Sequence, residues 1–108
     1  MLSFIDVIPA RSSIRPGDSL NILGGAANPG PALETDLTVW GNTGNGWIPL
    51  ISKQLRIEEG EHKHLYFTLT PEILYARLWA DGPEEFDLII RDTVPGPEES
   101  GVLIFLSP

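Results

Sequence analysis

Apolar and polar residues alternate with a period of two along most of the chain, the signature of half-buried strands. Leu20 and Ile22 alternate with Ser19 and Asn21, and Leu37 and Val39 with Asp36, Thr38 and Trp40. Leu55 and Ile57 point one way while Gln54, Arg56 and Glu58 point the other. The clearest stretch is 62–69, where Leu65, Phe67 and Leu69 share a face with Lys63 at its mouth, opposite His62, His64, Tyr66 and Thr68. Phe86, Leu88 and Ile90 alternate over 85–92, and Val102, Ile104 and Leu106 over 102–106. A first strand covers 2–8, with Ile5 and Val7 on one face and Leu2, Phe4 and Ile8 on or near the other. Residues 47–51 form a short strand that Pro49, lacking an N–H for the ladder, places at an edge.

Turn residues punctuate these runs. Pro16-Gly17-Asp18, Asn28-Pro29-Gly30-Pro31, the segment 42–46, Glu59-Gly60-Glu61 and Asp81-Gly82-Pro83 each supply a fixed φ or a residue tolerant of positive φ. Thr70-Pro71-Glu72 carries a helix start: an N-cap hydroxyl, a proline at the first helical position and an acid near the positive dipole end. Two readings stay open there, one or two helical turns over 71–78 or a further strand, because Leu74, Ala76, Leu78 and Ala80 also alternate with Tyr75, Arg77 and Trp79. The pattern predicts an all-β chain, an immunoglobulin-like Greek-key β-sandwich of seven or eight strands forming a single domain over 1–108.

Taken together, PGDSLNI, the Asn28-Pro29-Gly30 turn, TDLTVW and LYFTLTPE resemble bacterial immunoglobulin-like accessory domains, the group that includes the cell-adhesion-related (CARDB-like) modules. The resemblance spans nearly the whole chain. It implies a domain that spaces other domains, presents loops, or binds protein or sugar without catalysis. The chain lacks the Cys-Trp-Cys set of antibody-type domains, so no disulfide follows from it.

Charge narrows the partners. Fifteen acids against seven bases give −8, a surface that repels phosphate backbones and anionic lipid, which argues against nucleic acid and membrane partners. The absence of cysteine excludes thiol catalysis and Cys-ligated zinc. The first residues have neither a basic stretch nor an unbroken apolar run, so the sequence predicts no signal peptide and no membrane span. Either an intracellular protein or a domain cut from a longer one fits.

Four constellations invite chemistry, and each has a plain alternative. Gly17-Asp18-Ser19-Leu20 spells the tag of a serine esterase family, yet it opens a strand, and no aspartate stands three positions before His62 or His64 to complete a triad. His62 and His64 share a strand face near Glu58 and Glu61, which suits a divalent metal or simple solvation. Acidic loops at Asp81/Glu84/Glu85 and Asp92/Glu98/Glu99 fall at opposite ends of one strand, which halves the oxygen ligands at either end for calcium. Trp40, Trp47, Trp79, Tyr66 and Tyr75 offer aromatic faces for pyranose rings, so a carbohydrate-binding module is the alternative function. None of these assigns a catalytic residue, a metal or a cofactor.

The sharpest expectation concerns an outer sheet face. Ile89 points opposite to Phe86, Leu88 and Ile90, and Leu103 and Phe105 point opposite to Val102, Ile104 and Leu106. Trp40 likewise points away from Leu37 and Val39. An immunoglobulin-like sandwich makes these strands neighbours and gathers Trp40, Ile89, Leu103 and Phe105 into one apolar patch. Soluble monomers rarely leave such a patch bare. The sequence therefore predicts that segment 71–79 folds over it or that a protein partner, another protein or a second copy in a homodimer, covers it.

Overall fold

The computed structural model describes residues 2–79 and 84–107, with the side chains of Ile5, Asp6 and Trp79 left out. Eight strands lie in two sheets among these residues. They are β1 (Ser3–Pro9), β2 (Ser13–Ile14), β3 (Leu20–Ala27), β4 (Leu33–Asn42), β5 (Trp47–Ile57), β6 (His62–Leu69), β7 (Glu85–Arg91) and β8 (Val102–Leu106). The small sheet has the order β1-β3-β6 and the large one β2-β8-β7-β4-β5. The predicted turn Asp81-Gly82-Pro83 and Ala80 lie outside the described residues.

The inward sets of both sheets form one core. Leu20, Ile22, Phe67 and Leu69 from the small sheet meet Leu37, Val39, Phe86, Leu88, Ile90 and Ile104 from the large one, all at most 1% exposed. β5 remains beside β4 instead of crossing to β6, so β6 is the bare edge of the three-stranded sheet. Lys53 covers that edge: its Nζ donates to the Tyr66 carbonyl and sits 5.1 Å from the centre of the Phe67 ring. A charged group on an exposed strand edge discourages edge-to-edge pairing.

Two irregularities change what simple alternation predicts. β1 pairs Ile5 with Gly25 but Ile8 with Leu23, so one extra residue is inserted between them. The bulge turns Phe4 and Val7 both toward the core and leaves Ile8 outside, separating Ile8 from Leu2 and Phe4. A second shift, at Val39/Trp40, lets Trp47–Ile57 run as a single strand where two were expected.

Between β6 and β7 the chain is helical. Thr70 caps α1 (Pro71–Leu74), its Oγ1 accepting from the Ile73 N–H at 3.3 Å, and a π-helical turn follows over Tyr75–Trp79. The strand alternative is thereby excluded. Leu74 and Leu78 are buried in the core, and a Cβ on Gly41 would stand 3.1 Å from Leu78 Cδ2. Glycine at 41 thus makes room for Leu78 and Leu50.

Candidate functional site

The large sheet places Trp40 directly opposite Ile89, and Leu103 opposite Asp87, one residue pair further along β7. Phe105 pairs with Glu85. The four expected residues therefore do share one outer face, but they do not share one environment. Ile89 is only 3% exposed and Trp40 half-buried, whereas Leu103 and Phe105 are 40% and 50% exposed.

Among the described side chains of segment 71–79, Leu74 and Leu78 enter the core rather than cover this face. The loop between β7 and β8 does cover part of it. Trp47 stands in register with Asn42, which pairs with Asp87, so it lies two strands away from β7 on the same outer face. Its indole Nε1 donates to the Gly96 carbonyl at 3.1 Å. On its way to Trp47 and back to β8 the loop passes over this outer face, and Gly101 lies against Ile89, where a Cβ on the glycine would stand 3.3 Å from the Ile89 Cβ. Glu99 holds its shape, accepting from Arg91 Nε at 3.2 Å and from the Gly96 N–H at 3.0 Å. Ile89 is thus unavailable to a partner, Trp40 is partly buried, and the most open part of the face is Leu103 and Phe105.

The sequence did not single out the opposite face, where the structure opens a groove. Leu23 on β3 pairs with Ile8 on one side and Tyr66 on the other, and the three are 50%, 57% and 51% exposed. Gly25 follows at the next outward position, opposite His64. A groove of about 400 Å3 runs over this backbone floor, lined by Ile8, Leu23, Gly24, Gly25, His62 and His64. No carboxylate projects from the described outward residues of this sheet, although the chain carries −8 overall. The signal was present in the sequence as Gly24-Gly25 inside a strand, which marks a close backbone approach. The β1 bulge that brings Ile8 to it was not.

The other constellations settle into local roles. Gly17 takes φ +92° in a turn, and Asp18 accepts from the Arg15 N–H at 2.9 Å and pairs with Arg11 at 3.3 Å. The exposed Ser19 lies six residues along β3 from the position facing His64, roughly 20 Å. Glu61 pairs with Lys63 and Glu58 with Arg56, and the hydrogen bond and charge of Glu58 push the exposed Arg56 guanidinium up. Among the described residues no three of His, Asp and Glu converge to hold a metal ion. Asp81 of the first acidic loop and the Trp79 side chain lie outside the described residues, and Trp47 is committed to its loop.

No protein-family model and no curated protein matches the chain. Solved structures do. The chain is similar in fold to part of two β-glucosidases. That of Erythrobacter marinus superposes with a TM-score of 0.77 at 18% identity, over 99% of this chain and 15% of the other. That of Listeria innocua, in complex with gluconolactone, gives 0.69 at 13% identity, over 100% of this chain and 16% of the other. The chain therefore spans about one sixth of the length of these neighbours, and at such identities the likeness is one of fold. No described helix is long and apolar enough to cross a membrane.

Proposed function

We propose that this chain is a non-catalytic β-sandwich module that packs against another protein surface through the outer face of its small sheet. One observation carries the reading: Ile8, Leu23 and Tyr66 align across all three strands, each about half exposed, beside a groove floored by glycine. Burying the exposed half of each is worth about 1 kcal/mol per side chain, so covering the row contributes roughly 3 kcal/mol. Among the described residues of this face no carboxylate projects, which spares an acidic chain the cost of desolvating charge on contact. The fold neighbours support the same reading, because there the similar sandwich is a small part of a much longer chain.

Light scattering coupled to size exclusion, over about a hundredfold concentration range, tests the face on the isolated chain. An orphaned apolar face gives weak, concentration-dependent self-association that Leu23→Asp abolishes while the melting temperature stays put. A chain that remains monomeric throughout, and binds no apolar dye at Leu23, overturns the reading. The carbohydrate reading keeps one feature in its favour: Tyr66 stands exposed beside a flat backbone floor, in a fold shared with β-glucosidases. It predicts that glucose or laminaribiose shifts the Tyr66 and His64 resonances, and that Tyr66→Ala removes the response.

A further inference from the structure

A second surface, independent of the small sheet, lies on the outer face of the large one, beyond the buried Ile89. Leu103 and Phe105 stand exposed in a column on β8, and Asp87 and Glu85 stand beside them in register on β7. Next to the acidic column a notch of about 200 Å3 opens against the β4–β5 turn, lined by Asn42, Thr43, Gly44, Glu85, Asp87 and Leu103. The notch is shaped in advance: Asn42 Oδ1 accepts from the Gly44 N–H at 2.7 Å and from the Gly46 N–H at 3.2 Å, and both glycines hold positive φ.

Among the described residues neither Glu85 nor Asp87 forms an ion pair, while Arg11, Arg56, Lys63 and Arg91 are all committed to other acids. An apolar column flanked by unneutralised carboxylates and a side-chain-sized notch is complementary to one chemistry. We propose that this face docks a protein partner through a lysine or arginine seated in the notch between Glu85 and Asp87, with an adjacent apolar side chain laid on Leu103 and Phe105. The apolar contact excludes water from the ion pair and so strengthens it, and the carboxylates set which apolar surfaces are accepted. A planar guanidinium meets the two carboxylates with paired hydrogen bonds, which favours arginine over lysine.

The test is a titration of the isotope-labelled full chain with three short peptides, one alternating leucine and arginine, one leucine and glutamate, one serine and arginine. The leucine–arginine peptide shifts the amides of Asn42–Gly44, Glu85–Asp87 and Leu103–Phe105, and its affinity falls severalfold as salt rises toward 0.15 M, about an 8 Å screening length. Glu85→Gln with Asp87→Asn weakens it about tenfold or more, as does Phe105→Ser alone, whereas Leu23→Asp leaves it unchanged. Equal binding of the serine–arginine peptide would reduce the effect to the net charge of the chain and overturn the proposal. So would shifts centred elsewhere, or full affinity in the double variant. Because Leu23→Asp disables only the small sheet, failure here and failure of the proposed function are read separately.

Discussion

Asn28 should be worth more to this fold than any other polar side chain. It is 1% exposed, its Nδ2 donates to the Pro31 carbonyl at 2.8 Å and the Ile57 carbonyl at 3.0 Å, and its Oδ1 accepts from the Gly30 N–H at 3.0 Å. Its backbone is tied to the next crossover as well, donating to the Glu61 carbonyl and accepting from the Gly60 N–H. One residue thus joins the β3–β4 turn to the β5–β6 turn, the two places where the chain changes sheets at this end. Asn28→Ala removes three hydrogen bonds of about 1 kcal/mol each and leaves the Ile57 carbonyl buried without that donor, a loss of about 3–4 kcal/mol. For a domain of this size that lowers the melting temperature by roughly 15 °C in a calorimetric scan. Asn28→Asp separates hydrogen bonding from packing. Its carboxylate faces the Pro31 and Ile57 carbonyls, so burial raises its folded pKa above the unfolded value of about 4, and the penalty is fully present above the folded pKa. As pH falls toward 4 the carboxyl protonates, regains one donor, and the deficit against wild type narrows, whereas that of Asn28→Ala stays level. A deficit under about 1 kcal/mol for Asn28→Ala, or no pH dependence for Asn28→Asp, would refute the reasoning.

Four further outcomes follow from particular contacts. Gly101→Ala places a Cβ 1.9 Å from the Leu88 carbonyl oxygen, so urea titration should show a loss of at least about 3 kcal/mol or no folded protein. Trp47→Phe forfeits the Nε1 bond to Gly96 and about 1 kcal/mol, and hydrogen exchange at Gly96 and Glu99 should rise while the core amides stay protected. Lys53→Met uncovers the β6 edge and should increase thioflavin-positive aggregation at unchanged or slightly higher melting temperature. Phe105→Lys should shift stability by under about 0.5 kcal/mol, because the side chain is already half in water.

The sequence alone determined the inward faces of the regular strands. Period two over residues 62–69 commits Leu65, Phe67 and Leu69 to the core because the pleat leaves no other choice, and a hydroxyl followed by proline starts a helix because it satisfies a free N–H. Trp40, Ile89, Leu103 and Phe105 point to one outward side for the same local reason. Only the tertiary structure decided which of them meet solvent. Whether a loop of prolines, glycines and glutamates lies over this outer face depends on one indole reaching Gly96, 49 residues away in sequence. Alternation cannot register such a contact. The small-sheet groove was hidden in the same way, since a one-residue bulge in β1 reverses every side chain beyond it and brings Ile8 to Leu23. Within a regular strand, side-chain direction is a property of the backbone and is written locally. Exposure is a property of what else arrives, and that is set by long-range pairing.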